Sequence, residues 1–416
     1  MTTLQIAMSL VSSAMLLGYI SSHHLKIQPT IAILGLSVLI VVGSSTLIPN
    51  IETSVFYANM MYLVDNTNFH SILIDFMLPI LLFAGSVSMD SRYFLRNKYT
   101  IASLAFISTI ISTIIIGYGF HLLCQKLAIN INLTLCMIFG ALISPTDPVA
   151  VVGMIKKTKL SPDIEASIAG ESLFNDGIGI VIFLTLYELA FGQQGEAITL
   201  LNVTKHFCYE AIGGCIIGYG TGLFCRWLIQ HESKYTHNHI LISIFVVTGV
   251  YTLANSAGFS GPLAIVICGL MISHHTSNHY ASHHLLYHFW ETLEEILNMV
   301  LYLLIGFEAL QLPYNITTFW VSIASISLIL LSRSLTVGLP VYLASRYIDY
   351  DPKMFKILVW GGLRGGLAVA LALSLPEIPE KAIIVIATYA VVCFTTIIQG
   401  GSMLFLLNRE SESTKA

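Results

Sequence analysis

The amino-acid sequence predicts an all-α, polytopic membrane protein of about thirteen transmembrane helices, arranged as inverted repeats with two broken helices that cross. Three observations predict this fold class. First, 55% of the 416 residues are hydrophobic and only 10% are charged, where an ordinary soluble domain carries about 25% charge; the mean hydropathy of +0.79 agrees. Second, apolar runs long enough to cross roughly 30 Å of hydrocarbon recur from end to end. Third, two of those runs are interrupted by proline or glycine at comparable places in the two halves.

In chain order the apolar runs are 4–20, 30–48, 71–88, 99–123, 131–153, 164–190, 206–228, 238–256, 261–273, 292–312, 317–345, 353–374 and 382–407. Each reads as helix, because a chain crossing lipid must satisfy its backbone hydrogen bonds internally. No Lys or Arg precedes the first run, so it reads as a retained helix and not as a cleaved signal peptide. One membrane transport domain accounts for the chain: a first repeat over about 1–190, a linker helix over about 206–228 and a second repeat over about 238–407, with no soluble regulatory domain.

Loop charges orient these spans. If the loops alternate sides, one side holds Lys26, Arg92, Arg96, Lys98, Lys156, Lys157, Lys159, Arg226, Lys234, Arg346, Lys353, Lys356, Arg409 and Lys415. The other holds only Lys126, Lys205 and Lys381, and Arg333 and Arg364 lie inside spans. The positive-inside rule then places the C-terminus in the cytoplasm and the N-terminus outside. Seven cysteines scattered through apolar runs without a CxxC pair read as packing residues. A net charge of −4 without a basic run gives no reason to expect nucleic acid.

The fifth run contains SPTDPV (144–149), where two prolines break the helical ladder; the twelfth contains GGLRGG (361–366). The text after each break is similar, PVAVV against GLAVA. A matched pair of broken helices points to a transporter site at a repeat interface.

In AGESLFNDGIGIVIFL (169–184), Glu171 shares a helical face with Asn175, and Ser172 shares one with Asp176. A carboxylate facing lipid is strongly unfavourable, so these groups should point into the bundle or a wet cavity. Asp176, with Asn175 and Ser172, offers oxygens suited to a hard cation. Asp147 precedes Pro148, which disfavours helical geometry; Thr146 and Asp147 can cap the half-helix that follows, and backbone carbonyls unwound there can coordinate Na⁺ or a proton. Arg364 needs a partner at membrane depth, with Glu171 the first candidate and Asp147 the second.

The segments SPTDPVAVV, GESLFNDGIGIV, FWETLEEILNMVLYLLIGFE and WGGLRGGLAVALALSLP resemble, in order and over nearly the whole chain, those of the monovalent cation:proton antiporters. That family includes the bacterial and archaeal NhaP proteins and the eukaryotic sodium/proton exchangers. The resemblance implies a thirteen-helix inverted-repeat fold, usually homodimeric, that exchanges Na⁺ or Li⁺, sometimes K⁺, for H⁺. It assigns ion binding to Asp176, with Thr146, Asp147 and Ser172 as neighbours, and a buried ion pair to Glu171 and Arg364. Asn175, where an electrogenic branch has a second aspartate, implies one-for-one exchange. In LPILLFAGS (78–86), Ala84 stands where relatives usually carry an acid, so Ser86 or a water is the substitute ligand and a K⁺/H⁺ antiporter is the second reading. The absence of a long cytoplasmic tail suits a bacterial inner-membrane protein. No enzyme activity, cofactor or resident metal is expected beyond the transported cation.

The run HHTSNHYASHHLLYH (274–288) stands apart. His275, His279 and His283 recur every four residues, and would share one helical face on the cytoplasmic side. Three readings apply: a polar interfacial segment, a pH-responsive patch, or a chelating pair for a transition metal. HYASHH also matches the HxxxHH spacing of membrane di-iron desaturases, an enzyme alternative built on the His274–His288 cluster that leaves Asp147, Asp176 and Arg364 without a role.

Overall fold

The computed structural model describes residues 3–25, 28–47, 71–89, 91–147, 151, 162–192, 200–231, 236–276, 280–308, 312, 315–344, 352–403 and 405–406. Among them there is no strand. The helices are α1 (Thr3–Ile20), α2 (Pro29–Leu47), α3 (Leu78–Ser88), α4 (Ser91–Ala102), α5 (Thr109–Lys126), α6 (Leu133–Ile143), α7 (Pro162–Phe191), α8 (Leu200–His231), α9 (Thr236–Ser256), α10 (Gly261–Thr276), α11 (Tyr280–Glu308), α12 (Ile316–Ala344), α13 (Pro352–Trp360), α14 (Gly366–Leu373) and α15 (Lys381–Cys393). Short π-helical turns extend several of them, at Ser71–Met77, Ser103–Ser108 and Phe394–Gly400.

Among the described residues six helices are long and apolar enough to cross a membrane: Ser103–Lys126, Ser167–Phe191, Leu201–His231, His237–Ser256, Ile316–Gly338 and Lys381–Met403. A seventh candidate is the pair Ile72–Ser88 and Arg92–Tyr99, bent by 99°, and 29–39, 133–143 and 261–273 are shorter apolar helices. The protein is therefore multi-pass, although not all of the thirteen expected runs form described helices of full crossing length. Arg92, Arg96 and Lys98 all sit on α4, the helix that turns away after α3.

Local chemistry sets the helix ends that matter. Asn132 caps α6 by accepting from the Thr134 amide at 3.3 Å. Before α12, the Thr318 amide donates to Asn315 Oδ1 at 2.8 Å and the Asn315 amide donates to Thr318 Oγ1 at 2.9 Å, a reciprocal cap. Close helix approach uses small residues, as membrane bundles require. α8 lies against α10 through Gly214, Gly218 and Gly222, where an added Cβ would meet Ser260, Ala264 and Met271.

The longest buried element is α7, which packs on α4, α6, α8 and α10. Its middle carries the polar residues of the candidate site. The chain leaves helical geometry at 144–147 and again at 361–365. These two breaks cross in contact: the Asp147 amide donates to the Leu363 carbonyl at 2.8 Å.

Candidate functional site

The first break forms because Pro145 cannot supply the amide that the α6 ladder needs next. The carbonyls left open at the end of α6 carry the negative end of the helix dipole. Arg364, from the second break, takes them up: its Nη1 donates to the Ser144 carbonyl in a short contact and to the Pro145 carbonyl at 2.8 Å. Its own backbone is fixed by α15's extension, the amide donating to Thr395 Oγ1 at 3.1 Å. Arg364 is 1% exposed, and among the described residues its Nε has no hydrogen-bond partner.

The second break is built the same way with the other intramembrane arginine. Arg333 of α12 donates from Nε and Nη2 to the carbonyl of Leu358, in the last turn of α13, at 3.2 and 3.0 Å. It also grips Glu171 of α7 with both arms, Nη1 to Oε1 at 2.5 Å and Nη2 to Oε2 at 3.1 Å. This corrects the expected pair of Glu171 with Arg364. The reason is geometric: α12 delivers Arg333 to the face of α7 that bears Glu171, while Arg364 is aimed at the end of α6.

Thr146 is clamped by α7. Asn175 accepts from the Thr146 amide at 3.1 Å and donates from Nδ2 to Thr146 Oγ1 at 2.8 Å, while Ser172 Oγ lies 3.0 Å from the same hydroxyl. All three residues are buried. Both ends of the Asn175 amide thus hold the break. Asp147 is half-buried and receives a hydrogen bond from Tyr302 of α11, Oη to Oδ2, at 2.9 Å. Gly365 of the second break lies against it, and a Cβ there would come within 2.8 Å of Asp147 Cβ and Oδ2.

Asp176 is different. It is half-buried and accepts no hydrogen bond from any described residue. The charged groups that act on it are Asp147, Arg364 and Glu294. A carboxylate at membrane depth, close to a second carboxylate and without a hydrogen-bonded cation of its own, can take up a proton or a small cation.

Of the site residues expected from the sequence, Thr146, Ser172 and Asn175 meet directly, Asp147 lies where the two breaks touch, and Asp176 follows Asn175 on α7. The capping role expected of Thr146 and Asp147 concerns residues 148–150, outside the described ones. Ala84 is fully buried, and Ser86, its expected substitute, donates to the Phe83 carbonyl of its own helix at 2.8 Å. The side chains of His275, His279 and His283 lie outside the described residues; His288 is exposed and sits 3.5 Å from Glu291. Among the described residues no group of three or more His, Cys, Asp or Glu could hold a metal. Sequence reasoning missed Arg333 and Tyr302. Arg333 carried a signal, a second cation inside a span; Tyr302 is a lone hydroxyl in an apolar run and carried almost none.

A family model described as the transmembrane sodium/hydrogen exchanger matches residues 11–409. The chain belongs to that family. Among curated relatives of this exchanger family it is 35% identical to the Na⁺/H⁺ antiporter NhaP of Pseudomonas aeruginosa, over 98% of this chain and 96% of that protein. It is 28% identical to the Na⁺/H⁺ antiporter NhaH of Halobacillus dabanensis, over 84% and 85% of the two chains. Its fold matches that of the sodium proton antiporter MjNhaP1 from Methanocaldococcus jannaschii at pH 8, with a TM-score of 0.74 at 18% identity, covering 99% of this chain and 100% of that one. Membership of the exchanger family leaves the di-iron alternative without support.

Proposed function

We propose that this chain is a secondary antiporter exchanging Na⁺, or Li⁺, for H⁺, with Asp176 binding cation and proton in competition. The observation that carries the reading is the half-buried Asp176 carboxylate, without a hydrogen-bond donor among the described residues and beside Asp147 where two broken helices cross. The names of the curated relatives support the ion pair exchanged. A negative, empty site is costly to move through a low-dielectric bundle, so only the loaded states change sides and transport is coupled. One titrating carboxylate in that role, with Asn175 beside it occupied by Thr146, supports one-for-one, electroneutral exchange.

Thr146, Asp147 and Ser172 complete the proposed ion site, and Glu171 with Arg333 braces it. We further place the protein as a homodimer in a bacterial inner membrane, N-terminus outside and C-terminus cytoplasmic. Its repeats span about 1–190 and 238–407, joined by a linker helix over about 206–228. Ala84 favours a second reading, K⁺/H⁺ exchange, because a site with one carboxylate fewer has a weaker field and compensates less for dehydrating Na⁺ than for dehydrating the more weakly hydrated K⁺.

The test is proton movement in proteoliposomes under an imposed pH gradient, with Na⁺, Li⁺ or K⁺ added in turn. Wild type is expected to dissipate the gradient with Na⁺ and Li⁺, with no effect of a clamped membrane potential, and Asp176→Asn to show none. Because protons compete, the half-saturating Na⁺ concentration should rise by up to about tenfold per unit of acidification. Response to K⁺ alone would select the second reading, and full activity of Asp176→Asn would remove Asp176 from the mechanism.

A further inference from the structure

The two breaks and α7 line the site on two sides. α11 supplies a third. Trp290, Glu294, Asn298 and Tyr302 follow at four-residue spacing and so form one stripe along α11. Contacts fix both ends of the stripe. Trp290, 1% exposed, rests edge-on against Phe83 of α3, with ring centroids 4.7 Å apart, and donates from Nε1 to Ser243 Oγ at 3.0 Å. Tyr302, 3% exposed, donates to Asp147 Oδ2 at 2.9 Å. Between them Asn298 is buried and Glu294 half-buried, on the stripe whose end at Tyr302 meets Asp147.

The stripe is polar at three consecutive positions, and from Ile296 to Leu301 Asn298 is the one polar residue of α11. Polar groups at this depth are unfavourable unless they face a partner or a wet path. At one end of the stripe that partner is the Asp147 carboxylate, held by Tyr302. Facing the stripe, α3 contributes no oxygen next to Phe83, because Ala84 is an alanine. Glu294 lies eight residues from Tyr302, about 12 Å along the helix axis. It stands nearer the His288 end of the helix, between that exposed end and Asp147.

We propose that the stripe Glu294–Asn298–Tyr302 is a wall of the alkali-cation path, in which Glu294 recruits the cation toward Asp176 and Tyr302 positions the carboxylate of Asp147. The inference rests on the antiporter reading of Asp176. Glu294 adds negative potential at the approach to the site, which raises local cation concentration and is weakened by inert salt. Tyr302 acts as a positioning residue: a neutral donor that holds one carboxylate oxygen without competing for the cation. A tyrosine present only to fill space would tolerate phenylalanine with no change in transport.

The experiment uses full-length protein in proteoliposomes and measures initial rates against Na⁺ and Li⁺ concentration from acid to alkaline pH. The variants are Glu294→Gln, Glu294→Asp and Tyr302→Phe. Glu294→Gln is expected to raise the half-saturating Na⁺ several-fold, more than it lowers the maximal rate. Glu294→Asp should restore most of the loss, and choline chloride should shrink the difference from wild type. Tyr302→Phe is expected to lower the maximal rate and displace the pH profile, neither of which a packing role would do. Wild-type half-saturation in Glu294→Gln together with a wild-type pH profile in Tyr302→Phe would overturn the inference while leaving the antiporter reading intact. If Tyr302→Phe does not fold, unchanged half-saturation in Glu294→Gln alone overturns the recruiting wall. A wild-type protein that responds to no alkali cation would instead overturn the antiporter reading, and this inference with it.

Discussion

Glu171 and Asp176 sit five residues apart on the same helix, yet the bundle treats them in opposite ways. Glu171 is 1% exposed and bound through both oxygens by Arg333, which also closes the end of α13. Asp176 is half-buried and has no hydrogen bond from the described residues. Five residues turn an α-helix through about 500°, which leaves the two carboxylates some 140° apart around the axis. They therefore face different neighbours, and only Glu171 meets Arg333 of α12. The lesson is that a buried acid is functional by virtue of what it is denied. An acid already neutralised by a bidentate arginine holds helices together; one left without a donor remains able to bind.

The comparison breaks most sharply at Asp176. Asp176→Asn should reduce exchange to background while leaving thermal unfolding close to wild type, as read by fluorescence-detected size exclusion after heating. Glu171→Gln should do the reverse. Removing one member of such a buried pair costs about 3–5 kcal/mol, so the protein should unfold at markedly lower temperature. The double variant Glu171→Leu with Arg333→Leu should recover much of that loss, because no unpaired charge remains. An additive double variant would show that the pair is not the unit described here.

Gly365→Ala sharpens the comparison at the other carboxylate. The new methyl group would press on Asp147 at 2.8 Å, an overpacking that costs about 1–3 kcal/mol and should slow exchange through displaced Asp147. Stability loss without any change in exchange would separate Gly365 from the site. The smallest effect is expected outside the bundle. His288→Ala removes an exposed contact with Glu291, worth no more than about 0.5 kcal/mol, and unfolding temperature should stay within experimental scatter.

The sequence made much of this legible. Composition and run length required a helical membrane protein, and Pro145, Pro148 and the glycines of 361–366 located the breaks, because these residues act through their own backbone. Asp176 and Asp147 stood out because carboxylates within apolar runs are costly wherever the helix packs. The number of full crossings was less legible, since α4 turns 99° away from the preceding helix and α13 is short, and neither feature follows from hydropathy.

What the sequence by itself determined, then, was the class, the positions of the two breaks, and the face each polar residue of α7 occupies. Helical periodicity is a local property and sets those faces. Only the tertiary structure decided partners: Arg333 and not Arg364 for Glu171, the Ser144 and Pro145 carbonyls for Arg364, Thr146 for both ends of Asn175, and Tyr302 for Asp147. Two arginines within spans are chemically equivalent in the sequence. They become different only when helix packing fixes the distance from each guanidinium to a carboxylate or a helix end, and that distance depends on residues more than a hundred positions away.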